Sequence, residues 1–421
     1  MRGRASGVGT ASAVLALVLA CAACGSTTDS LGYNGPGGIH LRPLTKPATY
    51  PNPFQVLGRT DAEIANKLAT WFTSLFHPDP TMQDTRAIYF LVAPDQAQIQ
   101  DILHGKEVRT EGIGLAMMIC VQMDKREEFD RLWTFASTQL EEKAAPSRGY
   151  FDSHCDTLMS MTEPCQDPYG AQQMTMALIF AHDRWGSTTT IDYETEAVEL
   201  LTVMRHKQDE NGGIVGGVTD TFDAAAALPY DVPTDERAAA HWGRPSIVMP
   251  AYYDLWAEAT ADPFWTRAAI AARSYWQRTV HPTTGLVPVR ATFGGDRVPY
   301  WDSYLAEAYR AQISMALDQI WTKGVQWEID EAKKLLDFFR GKGISTYGAT
   351  YTLDGTVIDS SRDNGLIAVN GVTAMVGSPV DAASFVTQAW DLGVPTGIPR
   401  YYSGILGLTS LLILSGQYQV W

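Results

Sequence analysis

The sequence is poor in cysteine, histidine and positive charge. Five Cys and eight His occur in 421 residues, and two of those Cys lie within the first 24 positions. No Cys/His spacing resembles a zinc site, so no metal is expected. Lys and Arg number 32 against 47 Asp and Glu, a formal net charge of −15. Nucleic acid and anionic lipid headgroups need a basic footprint, so neither is an expected partner. A polyanionic substrate is disfavoured for the same reason. No sequence repeat of fixed period occurs, which argues against a solenoid. The apolar stretch Val8 to Ala20 is too short to span a bilayer.

That stretch instead reads as the core of an export signal, with Arg2 and Arg4 as its charged front. It runs into Val18-Leu19-Ala20-Cys21 and Ala22-Ala23-Cys24-Gly25-Ser26. Small residues directly before a Cys resemble the lipobox of bacterial lipoproteins. Cys24 is the expected lipidation site and Cys21 the runner-up. The expected organisation is a signal peptide over 1–24, a Gly/Pro/Ser/Thr-rich flexible tether over 25–50, and a single domain over 51–421. The protein is then exported and held by its lipid on the outer face of the cell membrane, with secretion as the alternative. Among the other cysteines, Cys120 sits in an apolar run and reads as inert core. Cys155 and Cys165, ten apart in a loop-like stretch, are candidates for a disulfide.

What is abundant is helical periodicity. Thr60-Asp61-Ala62-Glu63 is a capping box that opens a helix over 64–76. Periodic apolar stretches follow near 112–123, 126–142, 170–185, 192–207, 248–260, 263–279, 303–321, 325–341, 365–377, 379–391 and 400–415. Stretches such as Gly114-Leu-Ala-Met-Met-Ile-Cys120 and Gly404-Ile-Leu-Gly-Leu-Thr-Ser-Leu-Leu-Ile-Leu414 are apolar all round, and such helices must be buried on every side. They alternate with amphipathic ones. The alternation predicts an all-α toroid, a ring of inner helices wrapped by an outer ring, with short β-hairpin loops near 286–293 and 349–358 on one face. Trp133, Trp185, Trp256 and Tyr309 stand on helices and read mostly as core; Tyr401, beside Arg400, opens the last inner helix.

Glu111 stands alone between Thr110 and Gly112, one turn ahead of a fully apolar helix. Glu111-Gly112, that helix, and Arg126-Glu-Glu-Phe-Asp-Arg-Leu-Trp133 together resemble glycoside hydrolase family eight. Further matching blocks occur in order at 177–186, 249–256, 281–286, 308–321, 351–356, 400–402 and 414–416. Residues 108–133 look most like the xylose-releasing exo-oligoxylanase branch. The resemblance implies an (α/α)6 barrel and an inverting hydrolysis that needs no cofactor. One carboxylic acid protonates the leaving oxygen and a carboxylate across the site activates water. Glu111 matches the family's acid, and its place at the rim of a buried helix predicts a raised pKa. The family's base is an Asp three residues ahead of the Arg in Ala308-Tyr309-Arg310; here that position is Glu307. Asp302 is the alternate, and an ordinary ion pair between Glu307 and Arg310 is the competing reading.

The chain departs from the family pattern elsewhere too. The Asp that holds the central sugar aligns with Tyr169, and Asp167 replaces it only if the loop shifts by two residues. Ser403 stands where relatives usually carry Asp. The loop Ser360-Ser361-Arg362-Asp363-Asn364 has no His. The expected substrate-binding set is Tyr169, Asp167, Arg310, Arg400 and Tyr401. The expected function is cleavage of a β-linked oligosaccharide by a monomer. A glycan-binding lipoprotein that has lost turnover, or a glycosidase of remodelled specificity, are the alternatives.

Overall fold

The computed structural model describes residues 40–77, 86–103, 107–155, 161–234, 236–322, 324–377 and 379–421, with the side chains of 154–165 and 379–381 excluded. Both lipidation candidates and the signal peptide lie outside the described residues, as does the tether up to residue 39. The side chains of Cys155 and Cys165 are likewise outside them.

Among the described residues, twelve helices have ten residues or more. They are α1 (Asp61–Phe76), α2 (Thr110–Gln122), α3 (Arg126–Phe135, prolonged by a π turn at Ala136–Leu140) and α4 (Pro168–Trp185). Then come α5 (Tyr193–Asn211), α6 (Pro250–Thr260), α7 (Pro263–Thr279) and α8 (Arg310–Thr322). The last four are α9 (Gln326–Gly341), α10 (Asn364–Gly377), α11 (Pro379–Asp391) and α12 (Tyr402–Leu414). Local chemistry fixes many of their ends. Thr60 and Glu63 close the capping box of α1. Asp167 and Asp262 cap α4 and α7, each followed by a Pro that needs no hydrogen-bond partner at the first helical position.

The even-numbered helices form the inner ring. α2 packs on α4 and α12, and α8 packs on α6 and α10. Tyr252 and Tyr253 of α6 join that helix to α4 by donating to Gln173 and Gln172, at 2.9 and 2.7 Å. The odd-numbered helices wrap this ring, each against its inner neighbour. Burial follows the sequence pattern: every residue of α2 except Glu111 is buried, whereas the outer α9 buries only one stripe. The result is an (α/α)6 barrel, as the helix count predicts. Among the described residues no helix is long and apolar enough to cross a membrane.

The strands were only partly legible. The hairpin β9–β10 (Thr350–Thr352, Val357–Asp359) lies in the predicted stretch near 349–358 and is extended by β8 (Ser303–Tyr304). The 286–293 stretch contributes only β7 (Ala291–Thr292), paired with β6 (Trp242–Gly243). A five-stranded antiparallel sheet had no clear signal: β1 (Tyr89–Ala93), β2 (Gln96–Asp101), β3 (Glu107–Arg109), β4 (Asp152–Cys155) and β5 (Met161–Gln166). β3 feeds α2 and β5 feeds α4, so the sheet anchors two inner-helix N-termini.

Two boundaries differ from expectation. Residues 40–50, read as tether, are pinned to the barrel. The backbone of Leu41 donates to Glu194 at 2.8 Å and that of Arg42 to the Ala259 carbonyl at 2.8 Å, while Leu44 is buried. The folded unit therefore includes residues 40–50 and is not confined to 51–421. The helix expected over 303–321 starts only at Arg310, because Ser303 and Tyr304 pair with β9 and Ala306–Tyr309 form a 3-10 turn.

Candidate active site

The N-termini of α2, α4, α8 and α12 converge at one end of the inner ring. Glu111 lies in the first turn of α2, where exposed backbone N–H groups favour a carboxylate. Two glycines allow α2 and α4 to meet closely. A Cβ on Gly170 would lie 2.6 Å from the Thr110 backbone, and one on Gly114 would lie 2.7 Å from the Gly170 carbonyl oxygen. Gly112 makes room for a side chain: a Cβ there would come within 2.7 Å of the Tyr401 ring and hydroxyl. That Tyr401 hydroxyl donates to Glu111 Oε1 at 3.1 Å.

The other carboxylate oxygen of Glu111 takes Nη1 of Arg310. Arg310 is buried, its Nε and Nη2 have no hydrogen-bond partner, and its guanidinium lies over the Tyr169 ring at 4.1 Å. The sequence's competing reading, an ion pair between Glu307 and Arg310, is not what forms. Glu307 sits on the 3-10 turn with its side chain 42% exposed, and pairs at 3.3 Å with Nη1 of Arg244. Glu111, by contrast, is only 18% exposed. One carboxyl group is thus sheltered and the other wetted, and both lie within the electrostatic reach of Arg310.

Arg244 is fixed from behind. Its Nε donates to Asp231, which also takes Nε of Arg290 at 2.6 Å. Asp231 is buried, and the surrounding arginines hold it below the usual carboxylate range although burial opposes them. Sequence reading missed Arg244 and Asp231, and also Arg109, whose charge acts on Glu111. Arg109 directly precedes α2 and Arg244 lies six residues ahead of α6, positions that could have drawn attention to them. Asp231 has no such signal.

The remaining predicted residues divide. Tyr169 reaches the cluster, buried against Arg310. Asp167 caps α4 by accepting from Tyr169 N at 3.0 Å and senses Glu111, Arg244 and Arg310. Arg400 does not join. Its Nε donates to the Ala87 carbonyl at 2.8 Å and its Nη1 to the Gly397 carbonyl at 3.3 Å, so it ties down the loop ahead of α12. Asp302 is half-buried just ahead of β8, and neither Arg244 nor Arg310 donates to it. Trp133, Trp256 and Tyr309 are buried core.

The electrostatics correct one expectation. Burial pushes the Glu111 carboxyl up, as its position predicts. Arg310, Arg109 and the donated hydrogen bonds outweigh it, so the group titrates below its ordinary value. Asp167 goes the other way: burial and then Glu111 raise it against the pull of Arg244 and Arg310. The cluster therefore holds carboxyl groups whose surroundings push their pKa values apart, an arrangement suited to acid–base chemistry.

A double ring of twelve helices holds Glu111 and Glu307 at the N-terminal end of its inner ring, and the family match gives the class, a glycosidase. Residues 93–415 match the family described as Glycosyl hydrolases family 8, and the chain belongs to that family. It is 31% identical to the reducing-end xylose-releasing exo-oligoxylanase Rex8A of Paenibacillus barcinonensis, over 89% of this chain and 97% of that protein. Endoglucanase C of Ruminiclostridium cellulolyticum is more distant, at 23% identity over 73% of this chain and 64% of its own. Among solved structures, Rex8A complexed with xylose superposes with a TM-score of 0.81 at 30% identity, covering 88% of this chain and 97% of that one.

Proposed function

We propose that the protein hydrolyses β-linked oligosaccharides, xylo-oligosaccharides first among them, by single displacement with inversion. Glu111 is the general acid that protonates the leaving oxygen. Glu307 is the general base that takes a proton from the attacking water. Support comes from one observation above all: Glu111 and Glu307 stand at the same end of the inner ring, one sheltered and one wetted, each on its own arginine. The similarity to exo-oligoxylanases supports the choice of substrate class.

Arg310 and Arg109 lower the Glu111 carboxyl against the effect of burial, so the acid must gain its proton as substrate binds. A sugar that draws Arg310 Nη1 away from Glu111 weakens the strongest influence opposing burial and so raises the proton affinity of the carboxyl. Arg310 already carries two N–H groups without acceptors, to which sugar oxygens are suited. The extra methylene of Glu307, relative to the family's Asp, shifts where water is activated, and Tyr169 reshapes the neighbouring subsite. Export and attachment through a lipid on Cys24 complete the reading: the protein acts on glycans outside the cytoplasm.

The test is a panel of β-linked oligosaccharides with product anomers followed by NMR. Wild-type protein should release the α-anomer first, and Glu111→Gln should lose about a hundredfold or more in rate. Glu307→Ala should recover turnover with azide, which stands in for the activated water. A second reading has one observation in its favour, the engagement of both carboxylates in ion pairs: a glycan binder without turnover. Binding without cleavage of any member of the panel would establish it.

A further inference from the structure

Val298-Pro299-Tyr300-Trp301 forms a tight turn closed by Trp301 N donating to the Val298 carbonyl at 3.0 Å. Tyr300 occupies the third position with φ +69, a conformation that favours glycine or asparagine. Its side chain is nonetheless 96% exposed, so no packing inside the protein rewards a tyrosine there. Strain kept at an exposed aromatic points to something outside the chain that the ring meets.

Trp301 beside it is 38% exposed and supported from within. The Arg290 guanidinium lies over its indole ring, 3.7 Å from the centroid, and the backbone of Arg290 donates to the Trp301 carbonyl at 3.1 Å. Arg290 is itself buried, and its Nη1 has no hydrogen-bond partner. Arg290 holds Asp231, Asp231 holds Arg244, and Arg244 holds Glu307. The turn is thus coupled to the candidate base by two guanidinium groups and one carboxylate. A flat ring backed by a cation and braced against the site is a surface suited to the apolar face of a pyranose.

We propose that Tyr300 and Trp301 form an aromatic platform that stacks on a sugar ring of the substrate, on the Glu307 side and beyond the residues that meet the scissile bond. This rests on the glycosidase reading. It makes the turn a determinant of preferred chain length.

The experiment measures affinity for β-1,4-xylobiose through xylohexaose by calorimetry in a Glu111→Gln background, alongside cleavage by proteins with Glu111 intact. Tyr300→Gly removes one ring and relieves the turn; Trp301→Ala removes the other. The combined change should lower the ratio of long-chain to short-chain affinity by about tenfold, the scale of one aromatic contact. Trp301→Phe should restore much of it. Tyr300→Gly alone keeps the test valid should Trp301→Ala lower Tm. An active enzyme whose chain-length dependence ignores both changes overturns the platform and leaves the hydrolase standing. Chain-length-dependent binding that the variants abolish, with no cleavage by the unmodified protein, sustains the platform and overturns the hydrolase. Neither binding nor cleavage overturns both.

Discussion

The guanidinium of Arg310 is paired with the carboxylate of Glu111, 199 residues earlier in the chain. The pair sets the protonation of the proposed acid. Removing the cation by Arg310→Gln should raise the Glu111 pKa, because burial then acts with less opposition. The alkaline limb of the kcat/KM profile should move to higher pH, and Arg310→Lys should move it less. A limb that stays in place would separate Glu111 from the acid step. The same pair has a stability signature. A folded-state pKa below the unfolded value gives stabilisation present at neutral pH and lost as pH falls through the folded value. Glu111→Gln should flatten that acid loss in urea titrations.

Two neighbouring glycines should fail in different ways. Ala at 112 pushes on the far end of the Tyr401 side chain, against its hydrogen bond to Glu111. Ala at 114 pushes on the backbone of Gly170 and on Gln173, which cannot shift as a side-chain end can. Gly112→Ala should therefore lower kcat by about tenfold with little change in Tm, as loss of one hydrogen bond to the acid suggests. Gly114→Ala should cost about 1–3 kcal/mol of stability from overpacking. Equal behaviour of the two in denaturation and activity would contradict this geometry.

Asp231→Asn leaves Arg244 and Arg290 without their shared carboxylate in a buried setting. Breaking a buried ionic cluster from one side costs about 3–5 kcal/mol. Urea midpoints should fall accordingly, and activity should drop further because Arg244 no longer holds Glu307. A Tm within two degrees of wild type would refute the account.

At the junction of α8 and α9, buried Glu328 lies beside Asp318, which is bound to Arg273 at 2.6 and 2.7 Å. Burial first, and Asp318 second, raise the Glu328 pKa to about 9. A raised folded value means stability present below the unfolded pKa, near 4.5, and lost progressively as pH rises toward about 9. Glu328→Gln should remove that decline, so its thermal advantage over wild type should grow from pH 6 to pH 9. A difference that does not change with pH would refute the raised Glu328 pKa.

The twelve helices could be read from the chain because each is encoded locally: apolar residues recur at the helical period and caps mark the ends. Apolar-all-round segments such as α2 and α12 had to be buried, and this alone separated the inner ring from the outer. Glu111 was legible through the family resemblance that Glu111-Gly112 and the apolar helix behind it carry; its place in the first turn alone suits an ordinary N-terminal carboxylate as well. The sheet over 89–166 was not, because its strands are only three to six residues long, too short for an alternating pattern to register, and β3 meets β4 only across α2 and α3.

Sequence by itself determined the helical rings, the sheltered Glu111 and the candidate Glu307. Tertiary structure alone decided which cation each carboxylate meets, Arg310 for Glu111 and Arg244 for Glu307, and that Arg400 serves the loop instead. Periodicity fixes which face of a helix is buried. Only the closing of the ring brings together charges 63 and 199 residues apart, and their mutual field then reverses the pKa that burial of Glu111 favours.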